Sequence, residues 1–313
     1  MRYKPLGNSG LVVSVVGLGC NNFGMRLDVS QSRAVIDAAV EAGVTLLDTA
    51  ENYGRGRSEE ILGEVLAGRR DQVVLATKFG GGGDMGYGPA AGAKGGRSYV
   101  RRAVEHSLRR LRTDYIDLYQ LHLPDSVTPI EETIAALSEL VQAGMVRYIG
   151  HSNFSAVQIK AAAAAAQELI AVPFVSAQNH WSLLERAVET DVVPTARQLG
   201  LGVLPYFPLA NGLLAGKIRR GVPPAAGTRL AGRDSYITDA KLDTVEAIAE
   251  WSGQHGRTML EVAIGGLAAQ PGCTSVIAGA TSADQVRANV SAGDWIPDAS
   301  ELADIDKITT PAS

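Results

Sequence analysis

The segment Thr45-Leu46-Leu47-Asp48-Thr49-Ala50-Glu51-Asn52-Tyr53 begins as a short apolar run and ends in polar side chains. The same arrangement recurs at 73–79, where Lys78 follows a Val-rich run, and at 115–122, where the run ends in His122. Short runs rich in Val, Ile and Leu are typical of buried parallel β-strands. Parallel α/β proteins place their chemistry at the C-terminal ends of such strands. These segments therefore predict a sheet edge that carries a carboxylate, a phenol, an ammonium and an imidazole.

Strand-like and helix-like segments alternate along the chain without a linker, so we expect residues 1–313 to form a single domain. About eight β/α repeats is the count of an α/β fold of the (β/α)8 TIM barrel type. An open doubly wound sheet is the alternative, but the turn at 17–24 misplaces the third glycine of a dinucleotide fingerprint. The predicted strands are 15–20, 45–50, 73–79, 115–122, 146–151, 174–178, 202–207 and 274–279. The predicted helices are 30–42, 58–67, 98–111, 130–143, 155–168, 189–199, 240–255, 258–270 and 282–291.

The N-terminal residues and two long loops complete the predicted architecture. Residues 1–14 are predicted to form a β-hairpin that turns at Gly7-Asn8-Ser9-Gly10 and closes the barrel floor. The loops 80–97 and 208–238 each follow a strand, so we expect both to overhang the active face. Loops of this length in a compact domain are often lids or binding loops.

Composition and charge narrow the class of protein. Of the 313 residues 46% are hydrophobic and 20% charged, and the net charge of −4 gives no basic surplus for nucleic acid or an anionic membrane. Two cysteines, Cys20 and Cys273, are too few for a disulfide scaffold and lack metal-ligand spacing, so we expect no metal site and a cytoplasmic setting. No apolar run is long enough to span a bilayer, and the run 11–20 is interpreted as the first strand rather than a leader.

An ordered set of motifs carries a family resemblance that covers nearly the whole chain. The chain resembles an aldo-keto reductase, which implies a (β/α)8 barrel with a nicotinamide dinucleotide across its C-terminal face. The motifs are Asp48 to Gly54, Ser58-Glu59-Glu60, Leu62-Gly63, Thr77-Lys78, Asp114 to His122, Gly150-His151-Ser152-Asn153-Phe154, Gln178, Tyr206 to Leu214, and Val276 to Gly279 with Gln285 and Asn289.

The resemblance places the catalytic tetrad on Asp48, Tyr53, Lys78 and His122. Carbonyl reduction needs hydride at carbon and a proton at oxygen, and a phenol with a pKa of ~10 is a weak acid unless a cation lowers that value. Tyr53 is therefore the predicted general acid, Lys78 the cation beside it, Asp48 the anchor of Lys78, and His122 the group that orients the carbonyl. In isolation each residue would have an ordinary structural interpretation, and it is their combination that favours catalysis.

The resemblance also implies which residues bind the cofactor. NADPH is favoured on family grounds and NADH is the alternative, because the 279–285 segment lacks the usual cation for a 2′-phosphate. Arg287 can substitute for that cation. The implied residues are Ser152, Asn153 and Gln178 at the carboxamide, Tyr206 on the ring, Leu209, Asn211, Gly212, Leu214 and Lys217 at the pyrophosphate, and Gly279, Ser282, Gln285 and Asn289 at the adenosine.

The remaining expectations concern the substrate and competing functions. The predicted partner is a small-molecule carbonyl compound, with a pocket that includes Asn21, Phe23, Phe79 and Tyr87, and no segment indicates a protein partner. A nicotinamide-binding regulatory subunit, like the channel β-subunits of this fold, is the first alternative. A cofactor-free barrel enzyme with Lys78 as a Schiff-base amine is the second, although Asp48 would keep that lysine protonated. We interpret His151 as a neutral core histidine.

Overall fold

A computed structural model describes residues 1–225 and 227–310. Within these residues, eight strands form one sheet: β3 (Val16–Gly19), β4 (Leu46–Asp48), β5 (Val74–Phe79), β6 (Ile116–Leu121), β7 (Val146–Ser152), β8 (Ser176–Gln178), β9 (Gly202–Val203) and β10 (Val276–Gly279). Their order in the sheet is β10-β3-β4-β5-β6-β7-β8-β9, and every hydrogen-bonded pair of neighbours is parallel.

The two edge strands of this sheet meet, which closes it. Isolated parallel bridges join Val203 to Cys273 and Tyr206 to Ile277, between the β9 and β10 segments. The (β/α)8 fold is thereby confirmed. The predicted strands 202–207 and 45–50 were too long. Regular pairing ends at Val203 in the first, shortly before Pro205, which lacks an amide hydrogen, and at Asp48 in the second, where polar residues begin. The extended backbone continues briefly there, since the Thr49 and Glu51 amides still donate to the Ala76 and Lys78 carbonyls.

An N-terminal hairpin covers one end of the barrel, as predicted. Strands β1 (Tyr3–Pro5) and β2 (Val12–Ser14) pair in antiparallel register, and Leu6 N donates to the Leu11 oxygen across the turn. Leu6, Leu11 and Val13 are buried against side chains of the barrel interior, among them Leu46 and Leu118. This apolar contact fills the bottom of the barrel and leaves the opposite end for polar groups.

Helices cover the outside of the barrel and follow the predicted sequence order with two differences. Residues 258–270 contain a π-helical turn (Val262–Gly266) rather than one regular helix, and the last helix was not predicted. The helices are α1 (Val29–Glu41), α2 (Arg57–Val65), α3 (Arg97–Leu111), α4 (Ile130–Gln142), α5 (Ala156–Glu168), α6 (Val192–Gln198), α7 (Asp239–Gln254), α8 (Met259–Glu261), α9 (Leu267–Ala269), α10 (Ala283–Asp294) and α11 (Ala299–Thr309).

Side-chain caps fix where several of these helices begin. Asp28 starts α1 and Ser155 starts α5, each with a glutamine three residues later that returns a bond to the cap backbone. Such capping boxes satisfy amide groups that have no partner inside the helix. In the described part of the chain, no helix combines the length and apolar character needed to cross a lipid bilayer.

Candidate active site

The four predicted catalytic residues meet at the C-terminal end of the barrel. Asp48 ends β4, Lys78 lies in β5, His122 directly follows β6, and Tyr53 begins a 3-10 turn (Tyr53–Gly56). Lys78 Nζ donates to Asp48 Oδ2 at 2.6 Å and to Tyr53 Oη at 3.4 Å. A third bond joins Lys78 Nζ to the Thr49 carbonyl at 2.9 Å. The rings of Tyr53 and His122 meet edge to face with centroids 5.9 Å apart.

Burial and charge act in opposite directions on the ionisation of this group. Burial lowers the pKa of Lys78, but the Asp48 carboxylate and the Tyr53 oxygen outweigh it and the net pKa is raised. Burial raises the pKa of Tyr53, and Lys78 opposes this effect without reversing it. Lys78 therefore lowers the pKa of Tyr53, as expected, but desolvation is the larger effect and the net pKa is raised. Lys78 thus holds its charge and Tyr53 its proton near neutrality.

His122 is held neutral at the same edge. Burial, with smaller effects from the Lys78 and Lys94 charges, lowers the pKa of His122 to about 3. Its Nδ1 is buried and has no hydrogen-bond partner among the described residues. A neutral imidazole carries one N–H and one acceptor nitrogen, so His122 can orient a carbonyl oxygen without adding a charge.

Two buried glutamines connect the tetrad to the predicted carboxamide site. Gln178 Nε2 donates to Asp48 Oδ1 at 2.9 Å and to Gln120 Oε1 at 3.4 Å. Gln120 Nε2 also donates to Asp48 Oδ1, at 3.4 Å. Sequence reasoning did not single out Gln120, although it lies two residues before His122, and alternate residues of a strand share a face.

A cavity of about 730 Å³ opens over the tetrad and contains most of the predicted cofactor residues. Two of the predicted residues lie outside its lining. Leu214 is buried in a hydrophobic cluster with Val245 and Trp251. Ser282 caps α10, because its side chain accepts a hydrogen bond from Gln285 N. The predicted cofactor residues that line the cavity are Ser152, Asn153, Gln178, Tyr206, Leu209, Asn211, Gly212, Lys217, Gly279, Gln285 and Asn289.

Hydrogen bonds hold the residues at one end of this cavity in place. Tyr206 Oη donates to Asn153 Oδ1 at 2.7 Å, and Asn153 Nδ2 donates to the His122 carbonyl at 2.9 Å. Ser152 Oγ donates to the Gln178 carbonyl at 2.8 Å. The bonds that the side chain of Gln178 makes within the described chain use Nε2, which leaves Oε1 as an acceptor. The donors and acceptors of this end suit a carboxamide beside an aromatic face.

The predicted substrate pocket needs correction. Asn21 lines the cavity, but Phe23, Phe79 and Tyr87 do not. Phe79 follows the inward-facing Lys78 in β5, so its side chain points out of the barrel. There its ring stacks on that of Tyr119, with the two ring centroids 4.8 Å apart. Phe23 is fully buried in the core.

Tyr87 serves a buried carboxylate instead. Glu51 Oε2 accepts the Tyr87 hydroxyl at 2.8 Å, while Oε1 accepts the Gly80 amide at 2.7 Å and the Tyr99 hydroxyl at 3.0 Å. Burial raises the pKa of Glu51, and these bonds oppose that rise. Through these hydrogen bonds Glu51 connects the loop 80–97 to the segment that carries Tyr53. The position of Glu51 between Asp48 and Tyr53 was a sequence signal for a role at this site.

Four further side chains line the cavity, one of them in the loop 208–238 that was predicted to overhang the active face. Asn52 precedes Tyr53, and Arg26 lies in the turn after β3, where its amide donates to the Asn22 carbonyl. Phe207 and Arg229 come from the segment after β9, and the Arg229 carbon Cζ lies 5.7 Å from the Phe207 ring centroid. No local pattern marked the two arginines, because their approach to the cavity depends on how two irregular segments fold back over it.

Known proteins resemble this chain over nearly its whole length. The model of the Aldo/keto reductase family matches residues 15–310. A probable voltage-gated potassium channel subunit beta from Arabidopsis thaliana is 36% identical over 310 residues, covering 95% of this chain and 92% of the relative. The uncharacterized oxidoreductase YrpG of Bacillus subtilis (strain 168) is 38% identical, covering 93% and 91%. An L-glyceraldehyde 3-phosphate reductase of Escherichia coli (strain K12) is 33% identical, covering 98% and 92%.

Proposed function

Because this chain belongs to the aldo/keto reductase family, we propose that it is an oxidoreductase that reduces the carbonyl group of aldehydes or ketones with NADPH or NADH. The observation that carries the proposal is the buried chain from Asp48 through Lys78 to Tyr53, which ends at a cavity beside the neutral His122. A carboxylate that anchors a cation beside a phenol is suited to delivering one proton to a developing alkoxide.

Each side chain has a distinct part in the proposed reaction. A reduced nicotinamide, when bound, would supply the hydride for the carbonyl carbon. Tyr53 holds its proton until charge develops on the carbonyl oxygen, then donates it from Oη, so that an alcohol is formed. Lys78 stabilises the phenolate that remains, and Asp48 keeps Lys78 protonated throughout. The neutral His122 orients the carbonyl oxygen toward Tyr53.

The residues of the cavity fit a nicotinamide dinucleotide. Ser152, Asn153 and Gln178 would hold the carboxamide, and the Tyr206 ring, whose hydroxyl is fixed by Asn153, would face the nicotinamide. Lys217, in the segment after Leu209 to Gly212, would balance the pyrophosphate charge. The fixed positions of these groups support binding because little reordering is needed when the cofactor arrives.

We further propose that NADPH is favoured over NADH by only a small margin. Arg287, the expected substitute for the missing cation, pairs with Asp284 at 2.8 Å, and Gln285 Oε1 accepts from the amide and hydroxyl of Thr281. These groups are therefore partly engaged before a 2′-phosphate arrives. Titration of both cofactors by quenching of protein fluorescence tests this margin, and a preference of several orders of magnitude for either would reject it.

Substitution of Tyr53 tests the reductase proposal most directly. Tyr53→Phe keeps the ring but removes the proton donor, so kcat should fall by about 10²–10⁴-fold while NADPH still binds. Tyr3→Phe, a change at an exposed surface tyrosine, is the matched control. Turnover of an aldehyde panel at near-normal kcat by the Tyr53→Phe enzyme would overturn the assignment of Tyr53 as general acid.

A cofactor-binding regulatory subunit is the second candidate, favoured by the Arabidopsis thaliana relative that is named as a channel subunit. On this proposal the protein would bind NADPH and act through a protein partner, with slow chemistry. Sustained oxidation of NADPH by aldehydes in the absence of any partner would dispose of it. Tight NADPH binding without turnover would favour it over the reductase.

A further inference from the structure

Glu51 is a fully buried residue that has no part in the proposed reaction. Its side chain does not line the cavity, so it is not placed to contact a substrate or a cofactor. A buried carboxylate is costly unless hydrogen bonds satisfy it. Three donors do so here, the Gly80 amide and the Tyr99 hydroxyl at Oε1 and the Tyr87 hydroxyl at Oε2. A carboxylate bonded in this way fixes the position of each group that donates to it.

The hydrogen bonds of Glu51 enclose the end of β5. Its amide donates to the Lys78 carbonyl at 2.9 Å, and its Oε1 accepts from the Gly80 amide at 2.7 Å. Glu51 therefore bonds the chain on both sides of Phe79. The Phe79 carbonyl in turn accepts from the His122 amide at 2.8 Å. One residue thus fixes the backbone that joins the Lys78 cation to the His122 imidazole.

Glu51 also lies close to the proton donor along the chain. It comes two residues before Tyr53, whose amide donates to the Ala50 carbonyl at 3.1 Å in a tight turn. Tyr53 Oη lies 3.4 Å from Lys78 Nζ, at the long end of hydrogen-bond distances, so a small shift of this turn would break the contact. The segments that carry Tyr53, Lys78 and His122 therefore converge on one buried carboxylate.

A second buried carboxylate extends this network away from the cavity. Arg110 donates from Nε to Glu59 Oε2 at 2.6 Å and from Nη2 to the Tyr87 hydroxyl at 3.5 Å. Glu59 Oε1 accepts the hydroxyl of Thr77, in β5, at 2.6 Å. Tyr87 is therefore held between Glu51 and a guanidinium, and it brings the long loop after β5 into the network.

We propose that Glu51 is a positioning residue that holds the catalytic tetrad in the arrangement needed for proton delivery. The inference rests on the proposed reductase activity and adds a residue that acts on it from outside the cavity. A displacement of about 1 Å at a reacting group costs about 10²-fold in rate, so a carboxylate that fixes three segments affects the reaction without touching the substrate. Because Tyr87 is one of its donors, the long loop after β5 takes part in fixing the tetrad.

Removal of one donor to Glu51 tests the proposal without changing the carboxylate. In Tyr87→Phe we expect kcat to fall by about 5–10-fold, part of the cost of a full displacement, while KM and the Kd for NADPH stay within about twofold. The loss should be the same for small and large aldehydes, since the cavity walls are unchanged. Tyr119→Phe is the matched control, because Tyr119 is also buried and stacks on Phe79, but its hydroxyl has no partner among the described residues.

Two substitutions of Glu51 itself separate hydrogen bonding from charge. In Glu51→Gln the amide oxygen still accepts from Gly80, and the NH₂ group donates to the Tyr87 hydroxyl, which can accept. Its kcat should therefore stay within about threefold of wild type, whereas Glu51→Leu, which makes none of the side-chain bonds, should lose about 10²-fold. Thermal unfolding of each variant shows whether the fold is kept, and fluorescence titration gives its Kd for NADPH.

The outcomes separate this inference from the reductase proposal. Wild-type kcat in Tyr87→Phe, or equal losses in Tyr87→Phe and Tyr119→Phe, would overturn the positioning role and leave the reductase standing. A loss in Glu51→Gln as large as in Glu51→Leu would assign the effect to charge instead of hydrogen bonding and also overturn it. The same holds if the Kd for NADPH rises in Tyr87→Phe by the factor that kcat falls. Turnover of no aldehyde by the wild-type protein with either cofactor would reject both proposals.

Discussion

A single methyl group at Gly81 tests whether the placement of His122 matters. An ideal Cβ on Gly81 would lie 2.6 Å from Asn52 Nδ2 and 2.8 Å from His122 Nδ1. Carbon and nitrogen atoms that are not bonded prefer about 3.5 Å or more, so in Gly81→Ala the imidazole must move by roughly 0.7 Å. Asn52 can rotate away, but His122 is more restrained, because its amide is bonded to the Phe79 carbonyl and its ring lies against Tyr53.

The expected loss follows from that displacement. A shift approaching 1 Å at a reacting group can cost about 10²-fold in rate, so kcat/KM of Gly81→Ala should fall by about that factor. Overpacking should also lower the free energy of unfolding by about 1–3 kcal/mol. Neither Gly81 nor its neighbour Gly82 has a positive φ, so the backbone accepts alanine at both positions.

Gly82→Ala provides the matched control, because a Cβ at Gly82 would meet no atom within 4 Å. Its free energy of unfolding should change by less than about 0.5 kcal/mol, and its kcat/KM should stay near the wild-type value. Steady-state kinetics with a neutral aldehyde and urea unfolding measure both quantities. Wild-type kcat/KM in Gly81→Ala would refute the reasoning, as would equal losses in the two variants.

Three further predictions concern the interior of the barrel. In Gln120→Leu, Gln178 loses an acceptor that helps orient it, so the affinity for NADPH should fall by about 3–10-fold in a fluorescence titration, and unchanged affinity would contradict this role. In Asp48→Asn, the pKa of Lys78 should fall because burial is no longer opposed by a carboxylate, so the alkaline limb of the kcat profile should move to lower pH. His151 has a pKa of about 3 when folded and 6.5 as its ordinary value, so the unfolded chain gains a proton first as the pH falls and stability is lost below about pH 6.5. His151→Leu should therefore be more stable relative to wild type at pH 5 than at pH 8, by about 2 kcal/mol in urea unfolding, and an equal difference at both pH values would argue against it.

The order of the elements could be predicted from the sequence, while their ends could not. Apolar runs of Val, Ile and Leu mark strands because both faces of a parallel sheet are buried. Predicted and observed strand lengths differ most near the cavity. In β9, for example, two residues pair regularly, and Tyr206, which lines the cavity, makes only an isolated bridge to Ile277. The helix α11 was missed, although Asp298 and Glu301 form a capping box at its start.

The tetrad was predictable for a topological reason. Once a barrel of parallel strands is assumed, the C-terminal ends of neighbouring strands must meet at one edge, so Asp48, Lys78 and His122 are brought together by strand order alone. To predict whether a side chain points into or out of the barrel, one must also use the alternation of side-chain direction along a strand. Phe79 was assigned to the pocket without that step, and it points away from the pocket because Lys78 points inward.

The arginines that line the cavity come from irregular segments, so the sequence could place the loop 208–238 at the active face but could not single out Arg229 within it. Arg229 lies in an irregular segment, and no repeat or periodicity relates it to Asn21, which is 208 residues away in the chain. Its position depends on how the segment after β9 crosses the cavity, and the hydrogen bonds to Asn21 and Asn22 that hold it exist only in the folded state. The strand ends bring Asp48, Lys78 and His122 together, whereas irregular loops supply the cations that line the cavity. Within one such fold, the reaction should therefore be readable from strand ends, and the substrate only from the folded loops.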